Sequence, residues 1–325
     1  MMNKRTLVIG SRGSRLALWQ AEWVKAQLAA HHTHVEIRIE IIKTTGDVMK
    51  TVPLSIIGGR GVFTKELEEA LRDKRIDLAV HSLKDLPTRL PDALHISAIT
   101  EREDPRDALV LREDLRDENF TFQTLPIGAI VGTSSLRRLA QLKHLRPDLA
   151  IKELRGNVDT RLRKLDAGDY DAIILAAAGL RRLSLAERIS TTIEPDEMLP
   201  AVCQGALGIE TRFDDELTNE LLAPLDHAQT HRACVAERAL LRKLGGGCQI
   251  PIAAHAVLNE NQLRIEGLVV ALSGNPLLRE SLVNEATNEA QAEEAGAKLA
   301  ERLLERGAAF ILDGLTMPSA SQVLL

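Results

Sequence analysis

The 325-residue chain carries 41 Lys and Arg against 46 Asp and Glu, a formal charge of −5. A composition that is 45% hydrophobic and 27% charged excludes an extended disordered chain, and the acidic balance argues against a general nucleic-acid binder. At about 150 residues per domain, two or three domains are expected. The longest apolar run, Ala172 to Leu180, is nine residues, far short of a membrane span. MMNKRTLVIGSRGS lacks the apolar core of an export signal, so a cytoplasmic protein is expected. Cys203, Cys234 and Cys248 are too few and too odd in number for a disulfide framework and read as reduced thiols. Five Phe, two Trp and one Tyr leave little with which to build a base-stacking platform.

TLVIGSR (6–12) reads as a strand, and Ser14 is placed to cap a helix carrying Leu16, Trp19, Trp23 and Ala26 at helical spacing. HVEIRIEIIKT (34–44) alternates like a strand, TKELEEALRDK (64–74) is helical, and DLAVHSL (77–83) is again a strand. The polar EREDPRD (101–107) interrupts the pattern. It restarts with strands in DALVL (107–111), AIVGTSS (129–135), IKELR (151–155) and DAIILAAAG (171–179), and with helices over 135–146 and 157–167. This alternation predicts α/β architecture with mostly parallel sheets. Crossings between domains are expected near residues 100 and 200, and GALGIETR is a candidate strand for returning the chain to the first domain. A helix over about 229–244 leads to GGGCQIP (245–251), then to strands AAHAVLN and QLRIEGLVVAL. A helix over about 288–306 carries Ala292, Ala295, Leu299 and Leu303 on one face, which suggests a small α+β domain.

Polar residues collect where predicted strands end. Arg12 and Ser14 follow the first strand, and Ser82, Lys84 and Asp85 close the strand at 77–83. Thr133, Ser134 and Ser135 open a helix whose first turn holds Arg137 and Arg138. Arg155, Gly156 and Asn157 precede Arg161, and Arg181 and Arg182 follow the strand over 171–179. Ligands of open α/β sheets bind at the carboxyl ends of strands, and helix N-termini there favour anions. Guanidinium groups pair bidentately with carboxylates or phosphates, so such a set implies a ligand with several anionic groups. Ion pairing with nearby Asp and Glu is the structural alternative for each Arg. Asp85 is a candidate to stabilise developing positive charge and shuttle a proton, with a structural pair to Lys84 or a helix cap as the alternative. Cys248, preceded by Gly245, Gly246 and Gly247, is a candidate nucleophilic thiol or an inert buried one. His227, His231 and Cys234 fall at i, i+4 and i+7 but have no partner cluster of zinc-type spacing, so no metal is expected. GGRG (58–61) matches neither a dinucleotide fingerprint nor a P-loop and reads as a mobile loop.

The segments SRGSRLALWQ (11–20), GGRGVFTKELE (58–68), HSLKDLP (81–87), GTSSLRR (132–138), LRGNVDTRLRKLD (154–166), ILAAAGLRRL (174–183), LPAVCQGALGIE (199–210) and GGGCQIP (245–251) occur in the order found in porphobilinogen deaminases, also called hydroxymethylbilane synthases, and the chain resembles that family over most of its length. The resemblance implies two type II periplasmic-binding-protein-like α/β domains, 1–100 with 205–223 and 101–204, and a small C-terminal α+β domain, 224–325. It implies a dipyrromethane cofactor on Cys248 through a thioether, porphobilinogen as substrate, ammonia and 1-hydroxymethylbilane as products, and a monomer with neither nucleic-acid nor membrane partner. Residue by residue, it implies Asp85 as the catalytic carboxylate. Ser82, Lys84, Asp85, Thr133, Ser135, Arg137, Arg138 and Arg161 fall to the cofactor, and Arg12, Ser14, Arg60, Phe63, Arg155, Arg161 and Arg182 to the substrate or growing chain.

Two positions depart from the family pattern. Arg60 stands where many members have Lys, which keeps the charge and changes its reach. Cys203 stands where the pattern has Gly; if that position needs positive φ or a close backbone approach, Cys strains it. The rival readings are a carboxylate-binding protein without catalysis and a phosphate-reading nucleic-acid binder; the charge of −5 and the few aromatics oppose the second.

Overall fold

Ser14 does what its position suggests. Its side chain accepts the Ala17 N–H at 3.3 Å and starts the helix Arg15–His31, directly after strand β1 (Thr6–Ser11). The computed structural model describes residues 6–48, 62–116, 121–246 and 250–316. Arg60 and Cys248 therefore lie outside the described residues, as does the GGRG loop.

The first sheet joins β1 to β2 (Glu36–Ile41), β3 (Leu78–Ser82), β4 (Leu94–Ile99) and β10 (Leu207–Arg212) in the order β2-β1-β3-β10-β4. The second joins β5 (Asp107–Leu111), β6 (Ile130–Gly132), β7 (Ala150–Lys152), β8 (Ala172–Ala176) and β9 (Thr191–Ile193) in the order β7-β6-β8-β5-β9. The two orders are the same when read from each unit's own first strand: second, first, third, an antiparallel strand, fourth. The antiparallel strands are the exchanged ones. β10 runs against β3 and β4 after the chain has left the second unit, and β5 runs against β8 and β9 as the chain enters it. GALGIETR thus returns the chain to the first sheet. The remaining pairings, β1 with β2 and β3 and β6 with β7 and β8, are parallel. β5 and β10 are buried at every residue, as expected for central strands covered on both faces.

The third unit is an antiparallel meander of β11 (Ile252–Asn259), β12 (Gln262–Val270) and β13 (Leu277–Glu285), packed against the helices Ala228–Lys243 and Glu289–Glu305. The two helices meet almost backbone to backbone, since a Cβ on Gly296 would lie 2.0 Å from the Ala236 carbonyl oxygen. The core of this unit continues into the first one through Leu83, Leu86 and Ile99 and into the second crossover through Val202, Cys203 and Ala206. A smaller cluster of Ala140, Leu199, Ala253, Leu268 and Val270 joins it to the second unit. The architecture is two α/β units of matching strand order with a small α+β unit.

Some expectations need correction. The strand read over 171–179 stops at Ala176, and Ala177–Arg182 is helix. The alanine run has the highest helix propensity available, and Gly179 sits inside the helix beside Leu16. The sheets are mixed, because each unit takes in one exchanged antiparallel strand. β4, β9, β13 and the helix Ala308–Thr316 carry no pattern strong enough to have been read.

Candidate active site

The carboxyl end of β3 runs into a 3₁₀ turn, Leu83–Asp85. Leu83 and Leu86 are buried in the third unit's core, which leaves Lys84 half-buried and Asp85 exposed between them. Arg238, on the helix Ala228–Lys243, donates to the carbonyls of Leu86 (3.2 Å) and Pro87 (2.6 Å) and so fixes the exit of this turn. The Lys84 ammonium donates to Gln204 Oε1 at 3.3 Å. Burial lowers its pKa to about 8; Asp85 and Asp107 oppose that shift, and Arg138 and Arg137 add to it. Ser82 accepts a 2.8 Å hydrogen bond from the buried Gln20 amide.

The second unit supplies the facing groups. After β6, Thr133 Oγ1 accepts the Ser135 N–H at 3.2 Å, and Ser135 caps the helix Leu136–Leu145 through the Arg138 N–H. Arg137 and Arg138, the first-turn arginines, point into the protein. Both pair at 2.8 Å with Asp107, the first residue of β5, which has no solvent exposure. Arg137 also donates to the Leu199 carbonyl and Arg138 to the Ile174 carbonyl. Burial works against the charge of Asp107, but the two guanidinium groups hold its carboxyl far below the usual carboxylate range. Arg161 donates through Nε to the Gly156 carbonyl at 2.7 Å. Burial brings its pKa down to about 10; Arg138 and Arg155 push the same way and Asp85 the other. Arg155 pairs with Glu153. Asp85 therefore lies in the field of Lys84 from its own unit and Arg161 from the other, and no described residue donates a hydrogen bond to it.

Arg12 forms a second group. Its guanidinium holds Asp47 at 2.6 and 3.2 Å and lies 4.1 Å over the Phe63 ring. That ring sits where any Cβ on Gly46 would be, 2.2 Å from the nearest ring carbon. Ser14 Oγ accepts in its helix cap, which leaves its O–H to donate. Arg182 is buried, donates to the Gly205 carbonyl at 2.6 Å, and lies 5.8 Å from the Trp19 ring; burial lowers its pKa to about 10. Arg15 pairs with Asp159 at 3.1 Å, so the carboxyl-end edges of the two sheets meet at this cleft.

Sequence reading missed Asp107, Gln204, Asp47 and the Arg102–Glu237 pair. Glu237 is fully buried and accepts from Arg102, Cys203 N and Ala256 N, which ties both crossovers to the third unit. The available signal was an acid at a strand start, Asp107, and polar residues at the crossovers, Arg102 and Gln204, which look solvated until their partners are known; Asp47 and Glu237 lie within helices and gave none. Cys203 has φ +59° and is fully buried, its thiol donating to the Cys234 carbonyl at 3.6 Å, so the position does require left-handed backbone. Burial raises the pKa of that thiol. The candidate metal triplet is dispersed: His227 caps its helix on Thr230, His231 pairs with Asp226 at 2.7 Å, and Cys234 is core.

Family models decide the relationship. Residues 7–220 match the porphobilinogen deaminase dipyrromethane cofactor binding domain, and residues 231–305 match the porphobilinogen deaminase C-terminal domain. The chain belongs to the porphobilinogen deaminase family. Among curated members it is 54% identical over 314 residues to the porphobilinogen deaminase of Syntrophotalea carbinolica, covering 97% of each chain. It is 50% identical to that of Chlorobium chlorochromatii, over 95% of this chain and 97% of that one. Solved structures align at lower similarity; the Bordetella pertussis BvgS VFT2 domain (double mutant) gives a TM-score of 0.39 and 16% identity over 68% of this chain and 84% of that one. Among the described residues no helix is long and apolar enough to cross a membrane.

Proposed function

We propose that this cleft joins porphobilinogen units onto a dipyrromethane primer held by Cys248, releases ammonia at each addition, and frees 1-hydroxymethylbilane by hydrolysis. One observation carries the reading. Five cations, Lys84, Arg137, Arg138, Arg155 and Arg161, stand with three carboxylates, Asp85, Asp107 and Glu153, and burial first and neighbouring cations second lower the pKa of Lys84, Arg137 and Arg161. That is excess positive charge, which a polycarboxylate relieves. The hydroxyls of Ser82, Thr133 and Ser135 add polar contacts, so the residues fit a dipyrromethane with its acetate and propionate arms.

When bound, the dipyrromethane supplies the pyrrole α-carbon at which the first new carbon–carbon bond is made. The aminomethyl C–N bond of the substrate breaks with its nitrogen protonated, ammonia leaves, and the methylene carbon becomes electrophilic. Asp85, a carboxylate flanked by cations, holds the pyrrole N–H, stabilises the positive charge that spreads through the ring, and moves the proton lost when aromaticity returns. Lys84 and Arg161 bind primer carboxylates directly. Arg138 has its nitrogens engaged on Asp107 and the Ile174 carbonyl, so it acts through its field, and Arg137 does so in part. Arg12, Ser14, Arg60, Phe63, Arg155 and Arg182 serve the incoming unit and the growing chain, with Asp47 as the counter-ion a substrate carboxylate displaces from Arg12. The working protein is a cytoplasmic monomer whose domains are 1–100 with 205–223, 101–204 and 224–325.

Intact mass spectrometry tests the reading. The active protein is expected to be heavier than its polypeptide by two pyrrole units, to show a ladder of further additions with porphobilinogen, and to lose the extra mass in Cys248→Ala. A bare polypeptide mass in an ammonia-releasing preparation overturns it. Stoichiometric binding of porphobilinogen without ammonia release supports the carboxylate-binding rival instead.

A further inference from the structure

Gln204 lies on the second crossover, and its side chain touches both halves of the cleft. Its amide nitrogen donates to the Pro105 carbonyl at 2.7 Å and to Asp107 Oδ1 at 2.8 Å, and its amide oxygen accepts from Lys84 Nζ at 3.3 Å. Only the oxygen can face an ammonium and only the nitrogen can face two acceptors, so the orientation of the amide is fixed by its partners. The residue is almost fully buried, and its own carbonyl accepts from Arg102 Nε at 2.8 Å. Its neighbour Gly205 has φ +95°, where a Cβ would lie 2.2 Å from the Glu103 carbonyl oxygen, so the two crossovers press together beside it.

We infer that Gln204 is a positioning residue that sets Lys84, and with it the Lys84–Asp85 turn, against the Asp107–Arg137–Arg138 cluster of the opposite unit. The inference rests on the reading of Lys84 and Asp85 as site residues. Chemistry explains why an amide is required. A carboxylate at this position repels Asp107 and the Pro105 carbonyl. A cation repels Lys84. An apolar side chain leaves the buried Asp107 with one donor fewer and takes the neutral amide acceptor away from the ammonium. An amide satisfies the ammonium with its oxygen and two acceptors, Asp107 and the Pro105 carbonyl, with its nitrogen, without adding charge. Because Asp107 is held by Arg137 and Arg138, the position Gln204 gives to Lys84 is referenced to the second unit rather than to the first unit that carries it. The charged groups facing Lys84 are Asp85 beside it and Asp107, Arg137 and Arg138 across the cleft.

The test uses cofactor-loaded Gln204→Met, Gln204→Asn and Gln204→Glu, with Lys84→Met as reference. Misplacement of a primer-binding cation is expected to lower kcat by about tenfold or more while KM stays within about threefold. The alkaline limb of the kcat profile is expected to move to higher pH in Gln204→Glu, where the ammonium gains an anion, and to lower pH in Gln204→Met, where it loses an acceptor. A residue that only supports folding moves neither limb. Gln204→Asn keeps the amide one methylene short and carries the kcat test if the methionine variant does not fold. If Lys84→Met is impaired while the Gln204 variants keep wild-type kcat and limb, the assignment of Gln204 is overturned alone. If Lys84→Met turns over normally, the site reading falls and Gln204 with it.

Discussion

Two acid–base clusters a few residues apart in the fold use the same side-chain types to opposite ends. At Asp107 a buried carboxylate accepts from two guanidinium groups and a glutamine amide, whose other N–H groups reach neighbouring carbonyls, and the carboxylate's own charge is compensated inside the protein. At Asp85 the carboxylate is exposed, takes no hydrogen bond from a described residue, and stands among cations that outnumber it. The first arrangement resists change because removing one partner strands the others. The second keeps its hydrogen-bonding capacity for a ligand. A rigid ion cluster beside an unsatisfied one is how a fold holds reactive charge in place without neutralising it.

That contrast can be broken by paired substitutions. Asp85→Asn is expected to lower turnover by about 10²–10⁴-fold, with the cofactor retained and the unfolding midpoint unchanged; steady-state ammonia release with parallel urea melts reads both, and near-normal turnover ends the assignment of Asp85. Asp107→Ala is expected to do the reverse first, costing about 3–5 kcal/mol of stability because two buried guanidinium groups lose their carboxylate. Denaturant titration measures it, and a loss below about 1 kcal/mol would show that the cluster is not the rigid partner.

The pH response sharpens the comparison. In the folded protein without primer, Lys84 titrates near 8 instead of its usual 10.5. Between those values the unfolded chain binds more protons than the folded one, so stability rises with pH across that window. Cys248→Ala protein is expected to show this rise, and the same protein with Lys84→Met is expected to lack it; equal slopes would mean the ammonium is not held in a desolvated, cation-rich place. Asp107 gives the same sign of slope at the acid end. Its lowered pKa gives stability that is full above the ordinary carboxylate range and is lost progressively as pH falls from there through the folded value. The smallest expected effect is at Cys203. Gly and Ala both remove the thiol, but only Gly is at ease at φ +59°, so Cys203→Gly should be about 1 kcal/mol more stable than Cys203→Ala in urea melts.

Much of this was legible beforehand because local chemistry was strong. Ser14 and Ser135 announce helix starts, buried runs such as DALVL and AIILA announce central strands, and the polar residues after those strands mark the cleft edge. The reading failed where one residue's role depends on a distant partner. Arg137 and Arg138 look like arginines aimed at a ligand, yet Asp107 turns them inward, and EREDPRD, which looks like a solvated linker, contributes Arg102 to a buried pair with Glu237. The motif around Gln204 is visible as a string of letters, but its bridge between Lys84 and Asp107 is not.

The amino-acid sequence alone determined the periodicities, the helix caps, the two crossings and the family, since these depend on neighbours within a few residues or on motifs in order. Only the tertiary structure decided which charges are compensated and which stay available. The energy of a charge is set by its desolvation and by the partners within a few ångströms, and here those partners arrive from distant strands, helices and crossovers, 135 residues away for Arg102 and Glu237.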